Sequence, residues 1–172
     1  MTREFISAVL MLGICLLMVS LITIVNSTLV NLGLFLYLPG LLFLSISLIF
    51  NSSKAFIISL ITGLFLDEIL DTPFGFHGLA LPTLQVIGKE WLKYNDHNNS
   101  IRYVYFQLIS NIILTIILFL VFKLQNQQVI KWTFIRFASD ITLSTIVFIP
   151  LCFWFHDLTT RIFKIKDEQN LI

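Results

Sequence analysis

Residues 55–91 read AFIISLITGLFLDEILDTPFGFHGLALPTLQVIGKEW. An apolar run from Ala55 ends in three carboxylates, Asp67, Glu68 and Asp71. A Pro73-Phe74-Gly75-Phe76-His77-Gly78 turn follows, and the chain returns to apolar sequence as far as Trp91. Proline cannot continue a helix, and glycine takes backbone angles that other residues avoid. The pattern predicts two apolar helices folded back on each other at a tight reversal. Charged groups at the edge of a hydrocarbon layer are costly, which makes these acids the first candidates for a function.

Composition sets the solvent. The chain has 172 residues, 57% hydrophobic and only 12% charged, with mean hydropathy +0.91 and 17 Phe. A soluble domain carries roughly 25% charged residues, and a soluble fold of this size has too little interior to hide so much apolar surface. The class is integral membrane protein. The formal net charge of +1 gives no general attraction to nucleic acid, and none is expected as a partner. Cys15 and Cys152 each sit inside an apolar run, with no CxxC or HExxH nearby, and read as small buried hydrophobes. No metal and no cofactor is expected.

Six segments are long or nearly long enough to cross about 30 Å of hydrocarbon: 5–25, 32–50, 55–69, 74–91, 103–122 and 134–155. The predicted fold is all-α, a single integral membrane domain over 1–172, with six transmembrane helices and short polar loops in a compact bundle. The first apolar run exceeds the roughly 7–15 residues of a cleavable signal and reads as a retained span. The fourth is the weakest, holding His77, Pro82 and Gln85, and a re-entrant loop is its alternative. Charge decides between them. Six crossings with a cytoplasmic N-terminus put Arg3, Lys54, Lys89, Lys93, Arg102, Arg161, Lys164 and Lys166 inside, against Lys123, Lys131 and Arg136 outside. Both termini are then cytoplasmic. Trp91, Trp132, Trp154, Tyr94, Tyr103 and Tyr105 near the span ends suit the headgroup level.

Ala55, Ser59 and Gly63, at i, i+4 and i+8, form a stripe of small residues that lets another backbone come close, either in a partner helix or within this chain. Asp67 continues that stripe and shares a face with Asp71. It reads as a cation or proton site, a polar lock between spans or a partner contact, and Glu68 and Asp71 read equally as ordinary interfacial acids. Pro73, Gly75 and Gly78 shape the reversal, with His77 inside it as a hydrogen-bonded structural group. Arg136 and Asp140, four apart at the start of the last span, are spaced to pair and so to lower the cost of Asp140 in the membrane. Pro39 and Pro150 are expected to kink their spans. GxSxG, SxxK, P-loop and GxGxxG patterns are absent, and no nucleophile stands beside a base, so no enzymatic activity is expected.

The run Gly63-Leu64-Phe65-Leu66-Asp67 followed by Pro73-Phe74-Gly75 resembles the motif of the MreD family of rod shape-determining membrane proteins, roughly Gly-Leu-x-x-Asp, a few residues, then Pro-x-Gly. Leu38-Pro39 in the second span, and Asp140-Ile141-Thr142 through Pro150 with a basic end at Arg161 and Lys164, resemble other parts of that family. Glu68 departs from it, standing where the family usually has an apolar residue. The resemblance implies a bundle similar to the substrate-binding subunits of vitamin uptake transporters. It also implies a non-enzymatic subunit of the bacterial cell-elongation complex in the inner membrane. Such a subunit binds the single-span MreC and thereby links an actin-like filament inside to the peptidoglycan synthase complex outside. The rival reading is a vitamin-like small-molecule binding subunit of a transporter, with the acids and His77 lining a ligand or proton site. The lack of a long outer loop to cap a ligand weighs against it.

Overall fold

Apolar runs whose backbone must be satisfied within the segment become helices in lipid, and every regular element among the described residues is helical. A computed structural model describes residues 2–93, 100–125 and 133–168. Its order is α1 (Thr2–Leu29), short 3-10 turns at Val30–Leu32 and Pro39–Leu41, α2 (Leu42–Ile49), α3 (Ser52–Ile69), α4 (Phe76–Lys93), α5 (Ser100–Gln125) and α6 (Phe134–Glu168). Three helices, α1, α5 and α6, are long and apolar enough to cross a membrane. At 1.5 Å per residue, the 18 residues of α3 and of α4 each reach about 27 Å. Both also carry charge, Lys54, Asp67 and Glu68 in α3 and Lys89, Glu90 and Lys93 in α4. The bundle surface is apolar: Leu17, Ile24, Ile113 and Ile146 are all exposed, as suits contact with acyl chains.

The second predicted span, 32–50, is not one helix. Gly33 takes a left-handed φ of 72°, Leu34 to Leu38 have no regular structure, and Pro39 opens a 3-10 turn that leads into the eight-residue α2. Proline restricts the residue before it and has no N–H of its own, so the run breaks at Leu38-Pro39 rather than bending there. Residues 35 to 47 are nonetheless all buried. This broken segment forms the centre of the molecule. Pro150, by contrast, is carried inside α6 without ending it, and α6 runs past the expected boundary at 155 to Glu168.

The predicted reversal between the third and fourth segments is present. α3 and α4 make an antiparallel hairpin. Asn51 caps α3 by accepting from Lys54 N–H. Asp71, in left-handed conformation (φ 52°), helps end α3, and Thr72 N–H turns back to the Asp67 carbonyl at 3.1 Å. Gly75 (φ 87°) completes the turn. Lys54 pairs with Glu4, and Lys89 Nζ donates to Ser52 Oγ, so the open end of the hairpin lies beside the start of α1. Tyr103, expected at the headgroup level, is buried instead and shares a hydrogen bond with Ser45. Trp91 stacks on Phe106, and Trp154 and Tyr105 are exposed. Tyr94, Trp132 and the side chains of Lys93, Lys131 and Lys164 lie outside the described residues.

The small-residue stripe is used within the chain. Ala55, Ser59 and Gly63 are buried, and a Cβ at Gly63 would stand 2.3 Å from the His77 carbonyl oxygen of α4. Only hydrogen fits there. Gly63→Ala must therefore push α4 away, at a cost of about 1–3 kcal/mol. At Gly13 a Cβ meets nothing within 4 Å, so Gly13→Ala should cause no loss. Unfolding of the two variants in mild detergent checks the contrast; equal stability would refute the close contact.

Candidate functional site

A backbone without helical hydrogen bonds can lie inside a membrane protein only if other groups satisfy it. Around residues 35–41 that work is done by side chains. On α1, Asn26 accepts from Leu36 N–H (2.7 Å) and donates to Leu36 C=O (2.8 Å), as a neighbouring strand would. On α6, Asp140 Oδ1 accepts from Phe35 N–H (2.9 Å) and Ser144 Oγ from Tyr37 N–H (3.0 Å). On α5, Asn111 donates to Tyr37 C=O (2.9 Å) and accepts from Gly40 N–H (2.9 Å), while Gln107 donates to Leu41 C=O and accepts from the Cys152 thiol. Five polar side chains from the three long helices thus converge on one seven-residue stretch.

The second half of the site is the hairpin tip. Asp67 lies in the last turn of α3, and its carboxylate faces the first turn of α4. Oδ1 accepts from Thr72 Oγ1 (2.6 Å), His77 N–H (2.8 Å) and His77 Nδ1 (2.7 Å), and Oδ2 accepts from Gly78 N–H (3.1 Å). An anion at a helix N-terminus meets two otherwise orphaned N–H groups and the positive end of the helix dipole. A carboxylate only accepts, so Nδ1 carries the proton. Nε2 of the neutral ring then accepts from the Tyr37 hydroxyl at 2.6 Å. The result is a chain from Asp67 through His77 to Tyr37, and all three residues are buried.

The order of a carboxylate, an imidazole and a hydroxyl is one that hydrolases use to activate a nucleophile. Here the hydroxyl is enclosed and every member already has its partners. The geometry makes a lock: it fixes the tip of α3–α4 to the broken segment. A small cavity of about 20 Å³ lies beside it, lined among others by Thr23, Asn26, Tyr37, Pro39 and Leu66. That volume holds about one water.

The sequence-predicted residues fall on both sides of this site. Gly63 and Asp67 are in it, and Pro73 and Gly75 shape the turn that closes it. Glu68 and Asp71 are exposed and take no part in the Asp67 cluster; Asp71 serves as the turn residue after α3. Ala55 and Ser59 sit lower on α3, inside the hairpin. Arg136 and Asp140 do approach, but at 3.9 Å, longer than a hydrogen bond, and Asp140 spends Oδ1 on Phe35 N–H. Sequence reasoning missed Tyr37, Asn26, Gln107, Asn111 and Ser144. A signal existed: Tyr103, Gln107, Asn111 and Thr115 recur every four residues along an apolar helix.

Comparison of the chain with family models, with curated proteins and with solved structures gave no match.

Two substitutions rank the interactions. Asp67→Asn puts an amide N–H2 or a weaker acceptor against several donors, and about 2–3 kcal/mol of stability should be lost. Tyr37→Phe removes one hydroxyl bond and should cost about 1 kcal/mol. Chemical unfolding in detergent measures both; a Tyr37→Phe loss exceeding that of Asp67→Asn would refute the capping role of the carboxylate.

Proposed function

We propose that this chain is a non-enzymatic subunit of the bacterial cell-elongation complex in the inner membrane, crossing six times with both termini in the cytoplasm. In this role it scaffolds or regulates sidewall peptidoglycan synthesis through contact with a single-span, MreC-like partner. Through that partner it reaches the peptidoglycan synthase complex and, indirectly, an actin-like filament. The observation that carries the reading is the convergence of Gly63, Asp67, Pro73 and Gly75, on which the resemblance rests, at the tip of one hairpin. Gly63 touches the α4 backbone and Asp67 caps α4, so residues that stand apart in the motif serve one local structure. Their polar atoms are consumed inside the chain, which suits a rigid scaffold better than a site that turns over a substrate.

The topology agrees with the distribution of charge. The contacts of Lys54 with Glu4 and of Lys89 with Ser52 group basic residues at the end that also holds the start of α1, the end assigned to the cytoplasm. The apolar faces of α1 and α6 are open to lipid or to a partner span.

A vitamin-binding transporter subunit is the second reading, and a broken helix near the middle of a membrane domain is a device of transporters. Its weakness is space. Ligand pockets run to roughly 300–1,000 Å³, and the cavity beside Tyr37 has about 20 Å³.

Depletion of the protein in its native cell tests the proposal. Rods should round up and swell at constant growth medium, and the single-span partner should co-purify with the wild-type chain. Asp67→Leu uncaps α4 and should lower recovery of the partner while membrane insertion persists. Cells that stay rod-shaped but come to require one nutrient would sink the proposal in favour of the transporter.

A further inference from the structure

A second set of buried polar atoms lies outside the lock. Ser59, Thr62 and Gln85 are each 0% exposed, and Ser59 Oγ, Thr62 Oγ1 and both Gln85 amide atoms have no hydrogen-bond partner within the chain. Elsewhere hydroxyls on these helices return to the carbonyl four residues back, as Thr23, Thr83, Thr115 and Thr142 do. Ser59 and Thr62 do not. In hydrocarbon an unpaired amide is expensive, so the absence of a partner calls for one.

The three side chains lie within about two turns of one another along the α3–α4 hairpin. Gly63 faces His77 and Gly78, and the helices run antiparallel, so each step back along α3 matches a step forward along α4. Ser59 is then level with Leu81 and Pro82, and Gln85 stands one turn further on. Helical side chains lean toward the N-terminus of their own helix. Gln85 therefore leans up toward the Ser59 level, and Ser59 and Thr62 lean down to meet it. The same level holds Pro82, which is buried and gives no N–H to the Gly78 carbonyl. The Cys15 thiol borders Thr62 from α1 and is only a weak acceptor for its hydroxyl. Beyond Gln85, Gly88 packs against the Leu44 and Phe106 side chains.

We infer that Ser59, Thr62 and Gln85 enclose a hydration site inside the α3–α4 hairpin, filled by about one or two waters at roughly three hydrogen bonds each. Water fits because Gln85 needs both a donor, for Oε1, and an acceptor, for Nε2. A metal cation would satisfy the oxygens and leave Nε2 facing like charge. The layer holds no carboxylate, and the nearest one, Asp67, is fully engaged by Thr72, His77 and Gly78.

The test is magnetisation transfer from water to side-chain amides in the full-length protein, labelled with ¹⁵N-glutamine and held in lipid nanodiscs. Gln85 NH₂ should show a cross-peak to long-lived water, and Gln107, which bonds to Leu41, Tyr103 and Cys152, should show none. Gln85→Met assigns the signal by its loss. If that variant does not fold, density within hydrogen-bond distance of the Gln85 amide in a high-resolution map of the wild type is the readout. Ser59→Ala should weaken the cross-peak. Contact of the Gln85 amide with a Ser59 or Thr62 hydroxyl and none with water would overturn the inference. So would a shift of the Gln85 signal when sodium replaces choline as the cation, which would mean an ion in the layer.

Discussion

Seven residues of backbone with little hydrogen bonding of their own, the 3-10 bond from Leu41 N–H to the Leu38 carbonyl apart, placed where water is scarce, set the terms for the rest of this molecule. The stretch 35–41 has the polar demands of an edge strand and the surroundings of a core. Asn26, Gln107, Asn111, Asp140 and Ser144 answer those demands from α1, α5 and α6. Each of these residues would be costly in a helix facing lipid. Each becomes acceptable because it replaces a missing backbone partner. The relation also runs the other way, for the three long helices are oriented about the broken segment by directional bonds. Apolar packing between helices in lipid supplies little of that specificity, since acyl chains are as apolar as leucine.

Tyr37 joins this arrangement to the hairpin. Its N–H goes to Ser144, its C=O to Asn111 and its hydroxyl to His77, so one residue touches α6, α5 and α4. Beyond His77 the carboxylate of Asp67 gathers the end of α3, the turn and the start of α4. A displacement of the hairpin tip thus bears on the same residue that fixes the broken segment. Such a connection holds the hairpin tip and the broken segment in a set relation.

The hairpin is legible in the sequence because its signals are local. Pro73 and Gly75 mark a reversal, and the spacing from Gly63 to Asp67 marks a face. The second segment is not legible. Residues 32–50 have the length and apolarity of a spanning helix, and nothing within them supplies the missing partners. The partners are 10 to over 100 residues away: Asn26 reads as part of a loop, and Asp140 as a mate for Arg136. Spacing of i, i+4 shows that two side chains can meet on a helix. It does not show that a third group, here Phe35 N–H, competes for the same carboxylate. The recurrence of Tyr103, Gln107, Asn111 and Thr115 along α5 is a trace of the broken segment outside itself.

The two polar regions of the hairpin differ in a way that bears on function. At the tip every donor and acceptor of the Asp67 cluster is matched within the chain, which makes the tip rigid. One to two turns below, Ser59, Thr62 and Gln85 lack partners within the chain and Pro82 interrupts the ladder of α4. The hairpin is held at both ends, by the Asp67 cluster at the tip and by Lys89 on Ser52 at the open end, and its polar bonds between helices are fewest in between.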